Sequence, residues 1–340
     1  MVEIAKMRSG QFPRAFIGLA ISVLAACGEG GGHLEISDNS VLPPPTCSAS
    51  VWTARNSGIP NTLLGAGVFS GQAVAVGALG AIVTSADGIT WTTGTSGITV
   101  HLNAVAASGT TAIAVGDLGT IISSTDLVTW TARTSGTANS LRGATWTGTQ
   151  FVAVGDAGTI LTTPDGITWT PQTSGTSQDL HAVAASPTVI VVVGGGSTVP
   201  FPPPSPFGIL TSPTGTTWTP RTSAGGPFPQ PLLGVVWSGT QFLVVGKGGS
   251  TILQTSFDGI TWTARTAVIG NTMFAAAWSG SEFMAVGQFG LGQRSPDGIT
   301  WTSAAASNNC VSLSGDFNSV TWLGTRFISV GSGGTIYTAP

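Results

Sequence analysis

Charge is scarce in this chain. Only 7% of its 340 residues are Asp, Glu, Lys or Arg, against about a quarter in an ordinary soluble domain. No run of like charges occurs, and the formal net charge of −3 excludes the basic footprint of a nucleic-acid-binding protein. Glu, Lys, Arg and Gln, the polar residues that favour helices, are too few to build a helical protein. Tyrosine occurs once, and histidine and cysteine three times each. No Cys/His metal spacing and no Gly-rich phosphate loop is found, so no metal, cofactor or catalytic set is expected. Long apolar runs are missing too. The longest, Ala15–Ala26, is shorter than the roughly 20 residues that span a bilayer. What remains is Gly (49 residues), Thr, Ser, Val, Ile and Trp. These are the residues of strands and turns, and they place the chain among all-β proteins.

The beginning of the chain reads as an export segment. Lys6, Arg8 and Arg14 precede the apolar stretch, which ends in Leu24-Ala25-Ala26-Cys27. This resembles the lipobox of bacterial lipoproteins, and the resemblance implies cleavage before Cys27 and lipid on its thiol. The start is Met1 or Met7, since Arg8 and Arg14 serve either. Residues 1–26 are then a signal peptide and 27–46 a tether, flexible at its glycines and stiff at Pro43–Pro45. Gly28 stands where an inner-membrane retention Asp would, which favours an outer-membrane or cell-surface lipoprotein. Cys47 and Cys310 are left as a disulfide pair or as two buried thiols.

Residues 47–340 repeat. Ser-x-Asp-Gly-Ile-Thr-Trp occurs at Ser85–Trp91, Ser256–Trp262 and Ser295–Trp301, with Thr163–Trp169 differing at its first position. Copies ending at Trp130 and Trp218 replace Gly by Leu127 and Asp by Thr214, and Trp52 marks another. Successive tryptophans are 39, 39, 39, 49, 44 and 39 residues apart. Each unit holds four short apolar runs between Gly-, Asp- and Thr-rich turns, as in Leu141-RGATW, Gln150-FVAVG, Thr159-ILTT and Ile167-TWT. Four strands in about 40 residues make a propeller blade. The C-terminal unit, through Phe317-NSVTW, Phe327-ISVG and Gly334-TIYTAP, lacks its Trp motif. The strand around Thr46–Ala54 supplies it. The expectation is a seven-bladed β-propeller whose N-terminal strand closes the last blade, leaving no free edge. A Cys47–Cys310 disulfide would staple that closure.

The repeat resembles the Asp-box, or bacterial neuraminidase, repeat, and propellers of the photosystem II assembly and stability factor type. It departs from the usual Asp box because Asp and Gly are adjacent. Sialidases carry this repeat, and the resemblance would imply an arginine cluster, a Tyr–Glu pair and an acid Asp. Tyr337 aligns with Val83 in a strand, Glu282 aligns with the turn residues Gln150 and Gln241, and Arg55, Arg133 and Arg265 each follow a Trp motif. No catalytic set maps onto them.

Turns between second and third strands share a face with the connections between blades. The lengthened segments fall there: Gly194–Gly208, Ala224–Pro231 and Ser303–Asp316. Phe201, Phe207 and Phe228 among their prolines are candidate partner-binding residues. The same face should carry Asp117 and Asp156 at matching turn positions, His101 and Asp179 just before first strands, and Arg142 and His181 two positions later. These candidates suit a sugar, an anion or a metal, or are solvated rim residues. Asp87, Asp165, Asp258 and Asp297 belong on the opposite face as structural residues. The function expected is a non-catalytic module that binds an envelope protein. A glycan binder or sialidase-like glycosidase and a structural surface lipoprotein are the alternatives.

Overall fold

The computed structural model describes residues 52–196, 208–224, 230–247, 252–304 and 315–340. It shows seven four-stranded antiparallel sheets arranged as the blades of a propeller. In blade three the strands are Leu141–Trp146, Phe151–Gly155, Ile160–Thr163 and Thr170–Gln172, counted outward from the axis. The second strands are buried along their length, as in Ala112–Gly116 and Phe151–Gly155, with only Gln72 at the start of the blade-one strand exposed, because a neighbouring sheet covers both their faces. That explains their unbroken apolar runs. The outer strands, such as Thr131–Arg133 and Thr170–Gln172, are largely exposed and polar.

The apolar core is divided among the blade interfaces. Ile113, Val115 and Ile121 of blade two pack on Leu141, Phe151, Leu161 and Trp169 of blade three. An equivalent cluster fills each of the other junctions, including Ile328, Val330 and Ile336 of blade seven on Leu63, Ala73 and Val83 of blade one. In four blades a tryptophan ending the inner strand faces a phenylalanine beginning the second. The pairs are Trp146–Phe151, Trp237–Phe242, Trp278–Phe283 and Trp322–Phe327, with ring centroids 4.5–4.8 Å apart. Complete burial of a phenylalanine of this kind contributes about 1.5–3 kcal/mol.

The ring closes as the missing motif implies. Thr53–Asn56 pairs antiparallel with Thr335–Thr338 of the C-terminal strand. Of the expected strand Thr46–Ala54, residues 46–51 lie outside the described residues; Trp52 enters the junction of blades six and seven, where its ring lies 5.2 Å from Phe317. Arg55 Nε donates to Thr338 Oγ1 at 2.9 Å, tying the first described strand to the last. Cys47 and Cys310, the signal segment and the tether lie outside the described residues.

The Asp boxes are turn devices. In the first, the amides of Ile89 and Thr90 donate to Asp87 Oδ1 at 2.8 and 2.9 Å, and Ser85 Oγ donates to the same oxygen. The pattern recurs at Asp126, Asp165, Asp258 and Asp297. Leu127, in place of the motif glycine, takes the same left-handed conformation at φ 62° with its side chain buried. Thr214, in place of Asp, leaves the Gly215 amide on Ser212 Oγ at 2.8 Å.

Amide donation from Thr90 and then Ile89 lowers the Asp87 carboxyl to about 2. Asp126, Asp165 and Asp297 are lowered by the same kind of bonds, led by the Thr129, Ile167 and Thr300 amides respectively. At Asp258 burial opposes the shift but is outweighed by Thr261 and Ile260. A carboxylate lowered in the folded state is protonated more readily in the unfolded chain. Its contribution is therefore complete above the unfolded value of 3.8 and is lost as pH falls from there towards 2. The melting temperature should hold steady down to about pH 5 and fall steeply between roughly 4 and 2. Thermal melts followed by circular dichroism across that range check it.

Candidate binding site at the channel mouth

The inner strands of the seven blades surround a central channel. Three consecutive residues of each strand line a cavity of about 220 Å³ at one end of it. The middle residue of each triplet is Gly, Ala or Ser, because neighbouring inner strands nearly touch. A Cβ on Gly143 would lie 2.8 Å from the His181 carbonyl oxygen, and one on Gly65 would lie 2.7 Å from that of Asn103.

The first residue of each triplet makes the mouth. In every blade the register between inner and second strand shifts around this residue, which is a β-bulge. Bulges re-aim a side chain, and here all seven line the cavity. In ring order they are Leu64, Asn103, Arg142, His181, Leu233, Phe274 and Asn318. The mouth is thus mixed in character, with Asn318 and Leu64 standing between its two longer arcs. Asn103, Arg142 and His181 form a continuous polar arc, and Leu233 and Phe274 an apolar one.

Arg142 donates through Nε and Nη2 to both carboxylate oxygens of Asp156, the latter at 3.0 Å. That bond raises the guanidinium pKa, partly offset by burial, with Asp179 and Asp117 adding attraction. Asn103 Nδ2 donates to Asp117 Oδ1 and to the Leu141 carbonyl of the next blade, both at 2.9 Å. Asn318 Nδ2 reaches the Leu63 carbonyl in the same way at 2.8 Å, across the ring closure. His181 Nε2 is 3.0 Å from the Gly195 carbonyl, an acceptor, so Nε2 carries the proton. Burial pushes this imidazole below its ordinary value, Gly195 opposing and Arg142 assisting, so it is neutral at pH 7.

Of the six charged candidates from the sequence, four meet here: Arg142 and His181 line the cavity, with Asp117 and Asp156 bonded to its polar arc. His101 and Asp179 act as latches. Each precedes an inner strand and accepts an amide from the preceding blade's tight turn: Leu79 N to His101 Nδ1 at 3.1 Å, and Ala157 N to Asp179 Oδ1 at 3.0 Å. Asp316 does the same for Phe289, and Thr62 for Gly333. Phe201, Phe207 and Phe228 lie outside the described residues. Asn103, Asn318, Leu233 and Phe274 were legible as candidates only by aligning every residue two positions after the latch, not just the charged ones. Among the described residues no group of three or more His, Cys, Asp or Glu is placed to hold a metal.

The tight turns around the mouth carry a second feature. Leu79, Leu118 and Phe289 occupy left-handed positions at φ 57°, 56° and 60°, and they are 64%, 69% and 65% exposed. Gly333 takes the same conformation in blade seven. A non-glycine residue there costs about 1–2 kcal/mol, and an exposed side chain recovers little of it. The opposite face also exposes apolar residues, but as a repeat: Ile89, Val128, Ile167, Ile260 and Ile299 each follow an Asp box. That face repeats in most blades, Phe257 of blade five being an exposed exception, whereas the residues at the mouth vary more widely.

Among the described residues, Tyr337, Glu282 and the arginines that follow the Trp motifs are not brought together. Tyr337 packs on Phe317 at 5.3 Å within blade seven, and Glu282 sits 3.7 Å from Arg294. Neither lines the channel. Arg55, Arg133, Arg221 and Arg265 each donate to a hydroxyl of the adjoining third strand, in four separate blades.

No protein-family model and no curated protein matches the chain. Solved structures do. YCF48 from Cyanidioschyzon merolae is 17% identical with a TM-score of 0.64, over 86% of this chain and 98% of that one. YCF48 bound to a D1 peptide is 17% identical with a TM-score of 0.67, over 88% and 99%. A catalytically inactive virginiamycin B lyase from Staphylococcus aureus, solved with quinupristin, is 9% identical with a TM-score of 0.69, over 84% and 98%. At these identities the shared property is the fold: the chain is built as the propellers of YCF48 and virginiamycin B lyase are.

Proposed function

We propose that this protein is a non-catalytic binding module that holds a segment of a partner protein across the face bearing the channel mouth. One observation carries the reading. Where the seven blades differ, at the bulge ring and the tight turns, they place exposed Leu and Phe on unfavourable backbone around a cavity lined by both polar and apolar side chains. Residues kept in such conformations cluster at ligand clamps. The peptide-bound YCF48 structure shows that a propeller of this fold can hold a peptide. The export segment and Cys27 support attachment to a bacterial envelope as a lipoprotein, with an envelope protein as partner.

A random peptide library panned against the full chain tests the binding. Selected peptides should lose about tenfold or more in affinity on Leu118→Asp and keep it on Phe257→Asp, a change on the opposite face, where Phe257 is 72% exposed. The reverse pattern, or no selected peptide, contradicts the proposal. The anchor half fails if a Cys27→Ala chain stays with the membrane fraction.

A further inference from the structure

The mouth offers hydrogen-bonding groups of both kinds. Arg142 is the one charged residue that lines it. Asp156, outside the lining, takes the Nε–H and one Nη2–H of the guanidinium. Three of its five N–H donors stay free, while its charge is already matched by a carboxylate. The two neighbours of Arg142 on the ring supply acceptors. Both protons of Asn103 Nδ2 are engaged, which leaves Oδ1 without a partner among the described residues. Nε2 of neutral His181 donates to the Gly195 carbonyl, so its Nδ1 is an acceptor. Leu233 and Phe274 come next on the ring and add apolar contact.

A group that matches this arrangement is uncharged, carries an acceptor beside a donor at its tip, and has an aliphatic stem. We propose that the channel mouth receives the carboxamide of a glutamine side chain from the bound segment, its oxygen on the free N–H groups of Arg142, its NH2 on Asn103 Oδ1 and His181 Nδ1, and its methylenes against Leu233 and Phe274. The assignment rests on the peptide-binding reading above and names the side chain that this reading leaves open. A carboxylate would satisfy Arg142, but it would bring a second negative charge to the guanidinium that Asp156 already holds and leave both acceptors covered and unpaired. A lysine ammonium would satisfy the acceptors, but it would face the guanidinium with nothing for the free donors. An apolar side chain would strand donors and acceptors alike. Covering a polar group without pairing it costs its full desolvation, so each of these mismatches is penalised. The bulge ring also supplies clean perturbations. Blades one and five carry leucine at the position Arg142 occupies in blade three, so the ring accepts either residue there.

The test uses the full chain and acetylated, amidated nonapeptide pools randomised around a fixed central Gln, Glu, Lys or Leu, with binding read by fluorescence anisotropy. The Gln pool should bind about tenfold or more tighter than the Leu pool, and that advantage should survive high salt, which screens charge. Arg142→Leu removes the donors and uncovers Asp156, so it should move the preference from Gln to Lys. Leu233→Arg adds a second cation to the mouth and should move it from Gln to Glu. Preference of the unmodified chain for the Glu, Lys or Leu pool would overturn the carboxamide assignment, as would a Gln preference unmoved by both substitutions. Equal binding of the four pools, still lost on Leu118→Asp, would overturn it and leave the peptide-binding reading standing. Binding by none of the pools would remove both. Circular dichroism melts establish that each variant folds, and either one alone suffices to read the change in preference.

Discussion

A chain that starts at Ser57 should fail to fold cooperatively, whereas one that starts at Trp52 should still unfold in a cooperative transition. The two differ by five residues. Those residues hold the whole fourth strand of blade seven, which covers the edge of Thr335–Thr338. They also hold Trp52, 5% exposed and packed on Phe317, Met284 and Val286. Loss of a buried tryptophan alone costs about 3–5 kcal/mol, and the uncovered edge becomes a template for pairing with other chains. Against a total stability of about 5–15 kcal/mol, these losses are decisive. Trp52→Ala in the longer chain separates the two effects. It should lower the midpoint of denaturant unfolding by the tryptophan's share and leave the ring closed. An unchanged midpoint in the Ser57 chain would mean that the ring does not depend on its closing strand.

Gly155→Ala should destabilise the protein by about 3 kcal/mol or more, while Gly148→Ala, seven residues earlier, should cost about 1 kcal/mol. The difference lies in space and not in backbone conformation. Gly155 has φ −167°, an extended geometry open to any residue. A Cβ there would stand 2.1 Å from the Ser140 carbonyl oxygen and 2.9 Å from Leu141 Cα, and both are backbone atoms. The Ser140 oxygen also accepts the Asp156 amide at 2.9 Å, so separating the strands to admit a methyl breaks that bond and shifts the bulge that aims Arg142. Gly148 has φ 98° with nothing within 4 Å of its Cβ position, and pays only for conformation. The same close approach recurs in every blade, at Gly77, Gly116, Gly194, Gly246, Gly287 and Gly331. Urea unfolding of the two variants gives the comparison directly.

The blades, their number and the ring closure were legible because each depends on local, periodic features. Tryptophans, the VAVG-like runs and the Asp-Gly turns recur in the chain at the period of the blade, and the motif absent after Thr335–Ala339 points to the strand near the other end. The site was legible in part. Arg142 and His181 were found because charge is rare here. Asn103 and Asn318 were overlooked because amides are unremarkable in a chain full of polar uncharged residues, and a bulge leaves no mark on composition. His101 and Asp179 drew notice for their chemistry, yet both are occupied in accepting a neighbouring turn's amide, a bond across two blades that single-repeat reasoning does not reveal. The left-handed Leu79, Leu118 and Phe289 align with Gly333, and that substitution pattern was the available signal.

Amide hydrogen exchange of the full chain, with and without a selected peptide, tests the central claim most directly. The account predicts that bound peptide slows exchange in the turns holding Leu79, Leu118 and Phe289 and at the bulges around Asn103, Arg142 and His181, and leaves the Asp-box turns at Asp87, Asp165 and Asp258 unchanged. Protection concentrated at the Asp-box turns, with the mouth exchanging as before, would place the binding surface on the other face and contradict it.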